Sequence, residues 1–282
     1  MHLYKTTKGN IVSHNNTAFL IDEEWDALIN QENLFAHLLK ISAVSKVIAE
    51  ATFNDLIQNH ILAPVGRQEL WASGVTYLRS RDARMEESKQ SGGGDFYQKV
   101  YEADRPELFF KAVPQRIVGH HQEVYIRKDS TWNVPEPELT LFINSAGNIQ
   151  GYTIGNDMSS RSIEGENPLY LPQAKSYEKS AALGPCLYVT ENPIQPNTVI
   201  SIEIKRSHQI VFNGSIELNR MKRSLPDLAA WLYRECDFPA GCFLMTGTGI
   251  VPADDFTLQP GDEVSISIEG IGVLTNTVAQ RK

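Results

Sequence analysis

The sequence predicts an α+β fold, with a small N-terminal domain over residues 1–68 ahead of a mixed, mostly antiparallel β domain over residues 69–282. Two observations point there. Beyond Trp71, apolar residues alternate with period two in run after run, and turn residues separate the runs. Helical spacing is concentrated instead in the N-terminal part, with one further helix late in the chain.

In the N-terminal part, "IDEEWDALINQENLFAHLLKIS" reads as a helix. Asp22 would cap it, acids fill the first turn, and Trp25, Leu28, Ile29, Leu34, Leu38 and Leu39 follow helical spacing. "ATFNDLIQNHILAPVG" adds a short amphipathic piece that breaks at Pro64 and Gly66. "WASGVTYLRSR" is a short strand running into a loop. The polar stretch "RDARMEESKQSGGGDFYQKVYEADRP", with Gly92 to Gly94, is either a mobile cover or a plain surface excursion. "ELTLFINSAGNIQGYTIGND" is a hairpin: Leu139, Leu141 and Ile143 alternate, "NSAGN" turns the chain and "IQGYTIGND" returns. "VISIEIKRSHQIVFNGSIEL" is a second hairpin. "SLPDLAAWLYREC" is a helix with Ser224 as its cap and Pro226 in its first turn. "GDEVSISIEGIGVLTNTVA" closes the chain as alternating strand.

Composition narrows the function classes. Charged residues make up 21% and hydrophobic residues 41%, as in a globular protein. The net charge is −8, and no basic run offers a footprint for nucleic acid or an anionic membrane. An acidic ligand would therefore need a local positive centre. Three cysteines without a CxxC spacing argue for reduced thiols. With no signal-like hydrophobic region in "MHLYKTTKGN", a cytoplasmic protein is the expectation.

The chemistry concentrates in "VPEPELTLFINSAGNIQGYTIGND". Glu136 and Glu138 are one residue apart in a strand, so they share a face. That face is either a solvated edge or the wall of a polar cavity. The hairpin brings Asp157 back beside them. Three carboxylates within a few Å cannot all stay ionised unless a cation joins them. With oxygen ligands alone, a hard ion such as Mg²⁺, Mn²⁺ or Ca²⁺ is favoured over Zn²⁺. Three protein ligands also leave positions open for water or substrate, which suits catalysis.

The ordered set "PEPEL…GYTIGNDMSSR…ENPLYLPQAK…ALGP…TGTG…GDEV…GIGVLTN" resembles the fumarylacetoacetate hydrolase superfamily across the catalytic domain. Within it, "RPELFFKA" and "EGENPLYLPQAK" look most like the 2-keto-3-deoxy sugar acid dehydratases, which act on 2-dehydro-3-deoxy-D-arabinonate and its relatives. The resemblance implies a mixed β-roll, commonly paired as homodimers or dimers of dimers. It implies that Glu136, Glu138 and Asp157 are divalent-metal ligands, Lys175 an active-site lysine and Glu107 an acid/base residue. It places Lys111 in an FxK motif and Thr248 in a TGT motif, both on the substrate side. Thr248 would hold the substrate carboxylate.

One departure bears on the reaction. Hydrolases and decarboxylases of this family generally carry a histidine in the loop after the "GxxY" strand. Here Tyr77 to Pro106 contains none, and has Glu86 and Glu87 instead. This favours dehydration by lysine and glutamate over hydrolysis of a C–C bond in a 2,4-diketo acid. A non-catalytic protein that retains the fold is the third reading; it gives no reason for Lys175. Arg79 and Arg81 either meet a substrate carboxylate or are plain loop charges. His120 and His121, in "VGHHQEV", read as a surface turn.

Overall fold

The computed structural model describes the backbone of residues 1–87 and 94–282, and the side chains outside residues 87–95. In the N-terminal part, β1 (His2–Thr6), β2 (Gly9–His14) and β3 (Thr17–Ile21) come first. These strands were not foreseen. Their turns are short: Gly9 takes φ +124°, and Asn15 and Asn16 both adopt the left-handed region.

The helix expected next is two helices, α1 (Trp25–Ile29) and α2 (Leu34–Ser42). Glu24, not Asp22, caps the first, its carboxylate accepting from Asp26 N at 2.9 Å. Asn33 caps the second by accepting from Ala36 N at 2.9 Å. Between them Asn30 is drawn out of helical geometry, accepting from Ser145 N and donating to Pro239 O. Local capping thus breaks a run whose apolar spacing reads as continuous. β4 (Lys46–Ile48) and α3 (Glu50–Asn59) complete this part.

β5 (Glu69–Gly74) leads into α4 (Leu78–Glu87) and α5 (Gly94–Glu102). The polar stretch expected as a cover or excursion is helical on both sides. Gly92 and Gly93 lie outside the described residues. Then come β6 (Glu107–Ala112), β7 (Ile117–Val118), β8 (Glu123–Ile126), β9 (Asn133–Ile143), β10 (Ile149–Ser160), α6 (Arg161–Glu166) and α7 (Leu171–Lys175). The chain ends with β11 (Ala181–Tyr188), β12 (Val199–Arg206), β13 (Gln209–Glu217), α8 (Leu225–Leu232), β14 (Cys242–Met245), β15 (Glu263–Ile268) and β16 (Gly272–Gln280). α8 starts as expected, with Ser224 Oγ accepting from Asp227 N at 3.3 Å.

The strands form two sheets. The larger runs β4-β3-β2-β1-β11-β10-β9-β14-β5-β6, with β7 beside β11; the smaller runs β13-β12-β15-β16-β8. Among the described strands, the β5–β14, β7–β11 and β8–β16 pairs are parallel and the others antiparallel. The mixed, mostly antiparallel α+β architecture is therefore the one the sequence predicts. β1 continues the large sheet by pairing with β11. One apolar cluster joins the inner faces of β9, β10, β12, β15 and β16 through Leu139, Leu141, Ile154, Ile202, Ile266 and Leu274. A second joins Trp25, Leu28 and Leu34 to Phe142 and Phe243 on the other face of the large sheet.

A buried carboxylate centre at the end of the central hairpin

β9 and β10 pair in a register that sets Asp157 opposite Glu136 and Gly155 opposite Glu138. Partners across an antiparallel ladder share a face. Glu136, Glu138, Asp157 and Ser159 therefore project together. The turn that fixes this register is held by Asn144, whose Oδ1 accepts from Ala146 N and Asn148 N while Gly147 takes φ +83°. Ligand oxygens of Glu136, Glu138 and Asp157 lie within 4.8 Å of one another, and all three residues are buried. The solvated-edge alternative is excluded by that burial.

Cations surround the carboxylates. Lys175, at the last turn of α7, donates to Glu136, to Asp157 Oδ2 at 3.0 Å and to Ser159 Oγ at 2.6 Å. Arg161 reaches Glu136 at 2.5 Å from the start of α6. Arg84 enters from α4 and stands 2.8 Å from Glu164 and 3.8 Å from Glu136. Lys111 lies 2.8 Å from Asp157 Oδ1 and donates to Met158 O and Lys175 O. The last contact ties α7 to β6, as does Ser176 Oγ through Phe110 O and Lys111 O. Four cations thus meet five carboxylates when Glu107 and Glu164 are counted with the triad.

The charge is unevenly shared. Burial opposes ionisation of Glu136, but Lys175, Arg161 and Arg84 outweigh it and hold its pKa below the usual carboxylate range. Burial likewise opposes charge on Lys175, yet Asp157, Glu136 and Glu164 raise its pKa above the ordinary value. Glu138 is the exception. Burial, then Asp157 and Glu136, push its pKa well above normal, and Lys175 with the Gly247 N–H at 2.5 Å only partly offsets them. The hairpin centre is therefore short of positive charge on the Glu138 side. Three clustered oxygen donors with that deficit fit a hard divalent cation.

Gly247 belongs to the Thr246–Gly247–Thr248 stretch after β14. It takes φ +93°, and a Cβ there would meet Thr76 Oγ1 at 2.1 Å and Ser73 O at 2.9 Å. A glycine is needed for its N–H to reach Glu138. Thr248 is buried beside it; its hydroxyl accepts from Ile250 N at 3.2 Å. A small cavity of about 10 Å³ above the triad is lined by Gly74, Arg84, Phe109, Lys175 and Thr248, and by no histidine. That space is roughly one water molecule.

The candidate residues fall into place unequally. Glu107 is half-buried at the start of β6, opposite Gly74 of β5. A Cβ on Gly74 would lie 2.1 Å from Glu107 Oε2, so the missing side chain makes room for the carboxyl. Burial raises the Glu107 pKa; Arg84 works against the rise and Glu164 adds to it. Lys111 is fully buried and does not line the cavity. Its ammonium donates to Met158 O and Lys175 O and stands 2.8 Å from Asp157 Oδ1. The residue expected on the substrate side is buried beneath Asp157.

Arg79 is exposed, and Arg81 pairs with Asp82 at 2.5 Å and stacks on Tyr101. Neither lines the cavity; Arg84, one helical turn beyond, does. Glu86 is exposed, and the side chain of Glu87 lies outside the described residues. His121 is exposed as expected, but His120 is half-buried, its Nδ1 accepting from Thr275 N at 2.9 Å. Arg84, Ser159, Arg161 and Glu164 were missed. "NDMSSR" carried Ser159 and Arg161 in sight, but strand or helix-start placement alone gave neither a partner.

A buried carboxylate and lysine centre at the end of a hairpin, on the face of the large sheet turned away from the small one, defines a mixed-sheet enzyme fold. The profile of the fumarylacetoacetate (FAA) hydrolase C-terminal family matches residues 83–279. A probable 2-keto-3-deoxyxylonate dehydratase of Haloferax volcanii is 45% identical over 231 residues, 82% of this chain and 78% of that one. The 2-dehydro-3-deoxy-D-arabinonate dehydratase of Saccharolobus solfataricus is 38% identical over 294 residues, 100% of this chain and 97% of that one. A solved 2-keto-3-deoxy-D-arabinonate dehydratase complexed with magnesium and 2,5-dioxopentanoate superposes with TM-score 0.84 at 33% identity, covering 100% of this chain and 99% of that one. The chain belongs to the fumarylacetoacetate hydrolase family.

Proposed function

We propose that the protein is a metal-dependent dehydratase of a 2-keto-3-deoxy sugar acid, a hydro-lyase, with Mg²⁺ as its ion. The observation that carries this reading is the cluster of Glu136, Glu138 and Asp157 beside Lys175, in a cavity without histidine. Both dehydratase relatives, and the solved dehydratase complexed with magnesium and 2,5-dioxopentanoate, support it.

Glu136, Glu138 and Asp157 would hold the cation. Bound there, it would act as a Lewis acid that makes the C3 protons of a 2-keto acid more acidic. Glu107 takes one C3 proton, since it borders the cavity through Gly74 and burial raises its affinity for a proton. As the C4–O bond breaks, Glu107 returns that proton to the departing hydroxyl, and water leaves. Isomerisation of the unsaturated product of a five-carbon substrate gives 2,5-dioxopentanoate with all carbons retained. Lys175 orients Glu136 and Asp157 at the reacting end, with Ser159 fixing its ammonium. Thr248, on the cavity wall, holds the substrate carboxylate through its hydroxyl or backbone. Lys111 is a positioning residue that steadies Asp157 from below.

A cytoplasmic homodimer or dimer of dimers completes the proposal; three unpaired cysteines support the compartment, and light scattering tests the assembly. The reaction is tested by incubating 2-keto-3-deoxy pentonates and hexonates with enzyme and Mg²⁺ and weighing the products. A mass lower by one water with every carbon kept supports dehydration. Pyruvate plus a second fragment, or no turnover of any member, overturns it.

A further inference from the structure

Glu164 is buried to 2% exposure in α6, yet among the described residues neither of its oxygens accepts a hydrogen bond. Three cations stand around it: Arg84 at 2.8 Å, Lys175 at 3.6 Å and Arg161 at 3.7 Å. None is directed for a hydrogen bond to it. This is an uncommon state, because buried carboxylates normally take several hydrogen bonds to offset lost hydration. Glu164 thus stands among cations with its acceptor capacity unspent.

Its place says what would use that capacity. Glu164 and Glu107 both line a second cavity, of about 500 Å³, whose other walls include Phe96, Val100, Pro168 and Leu171. Two of Glu164's partners, Arg84 and Lys175, line the small cavity above the triad. Glu164 therefore lies between the cations of the reacting centre and the larger cavity. With the keto-acid head at the triad and C3 and C4 within reach of Glu107, the rest of the substrate extends past Glu164. On these apolar walls it is a ready acceptor for a hydroxyl there.

We propose that Glu164 accepts a hydrogen bond from the hydroxyl on the carbon beyond the leaving group, C5, and so selects 2-keto-3-deoxy acids that carry one. This rests on the dehydratase reading above. A group lacking that hydroxyl would leave a buried charge without its donor, and sites of that kind discriminate strongly against the deoxy analogue.

The test compares a 2-keto-3-deoxypentonate with its 5-deoxy analogue, 4-hydroxy-2-oxopentanoate, by kcat/KM for water loss. Wild type is expected to favour the hydroxylated acid by about 100-fold or more. Glu164→Gln is expected to cut that preference to within roughly tenfold, its loss falling mainly on the hydroxylated acid. Glu164→Asp keeps the charge beside Arg84 and Arg161 while withdrawing the acceptor by one methylene, and it should lose the preference too. A wild type that dehydrates both acids equally well overturns the proposal. So does an equal slowing of both acids in Glu164→Gln with Glu164→Asp like wild type, which would make Glu164 a counter-charge only. Failure to dehydrate either acid would instead sink the dehydratase reading.

Discussion

Glu136 and Asp157 are register partners across β9 and β10, and the Lys175 ammonium touches both. A one-residue slip of that ladder would send one carboxylate to the apolar face. The pairing therefore makes the site a property of the hairpin, while Lys175 comes from a separate helix. Lys175→Ala is expected to lower kcat by about 10³-fold or more, as loss of a group that acts at the reacting centre does. One Mg²⁺ per chain should still bind in calorimetry. Normal turnover would remove Lys175 from the mechanism.

Gly74→Ala tests how Glu107 is placed. The new methyl would sit where the Glu107 carboxyl now is, 2.1 Å from Oε2. The clash is with the far end of a side chain, so the strand can survive by swinging Glu107 away. We expect kcat to fall by about 10²-fold, the cost of misplacing a reacting group by roughly 1 Å. Thermal unfolding should shift by only a few degrees. A variant with full activity would show that Glu107 does not need this position.

The "GD" of the C-terminal motif has a structural reason. Asp262 is fully buried, takes both arms of Arg206 at 2.8 Å, and accepts from Gln259 N at 2.9 Å. Asp262→Ala should cost about 2–3 kcal/mol in urea unfolding, below the range for fully buried pairs because Arg206 is 30% exposed. Mg²⁺ affinity should not change. An unaltered midpoint would deny the pair a part in stability.

His120 predicts a pH effect on stability. Burial, with His121 adding to it, lowers its pKa from 6.5 to about 4. Between these values the unfolded chain binds a proton that the folded chain refuses. Its contribution is therefore present above pH 6.5 and lost as pH falls toward about 4. His120→Asn, which can still accept from Thr275 N, should flatten the fall in unfolding midpoint across that window. An unchanged slope would place the titrating groups elsewhere.

The strands that carry function were legible because each is a long alternating run with a local turn. The three clustered carboxylates followed from hairpin geometry alone. β1 to β3 were missed because Lys8-Gly9 and Asn15-Asn16 are brief turn signals in runs with imperfect alternation. The α1–α2 break depends on Asn30 bonding to Ser145 and Pro239, far along the chain. Arg84 and Glu164 were hidden for the same reason. Each is an ordinary charge on a helix until tertiary packing buries it against the other. Lys111 shows the converse: its motif was visible, but only the fold shows that its ammonium points beneath the site.

The most direct test of the account is the binding of Mn²⁺ to wild type and Glu138→Gln, followed by electron paramagnetic resonance. Glu138 is the suitable ligand to change because, among the described residues, only the Gly247 N–H is bound to it, so its loss breaks no ion pair of Lys175 or Arg161 there. The account predicts one tightly bound Mn²⁺ per wild-type chain and, with one ligand charge removed, affinity lower by about 100-fold or more in Glu138→Gln. Equal affinity in the two proteins would contradict the claim that Glu136, Glu138 and Asp157 share a cation.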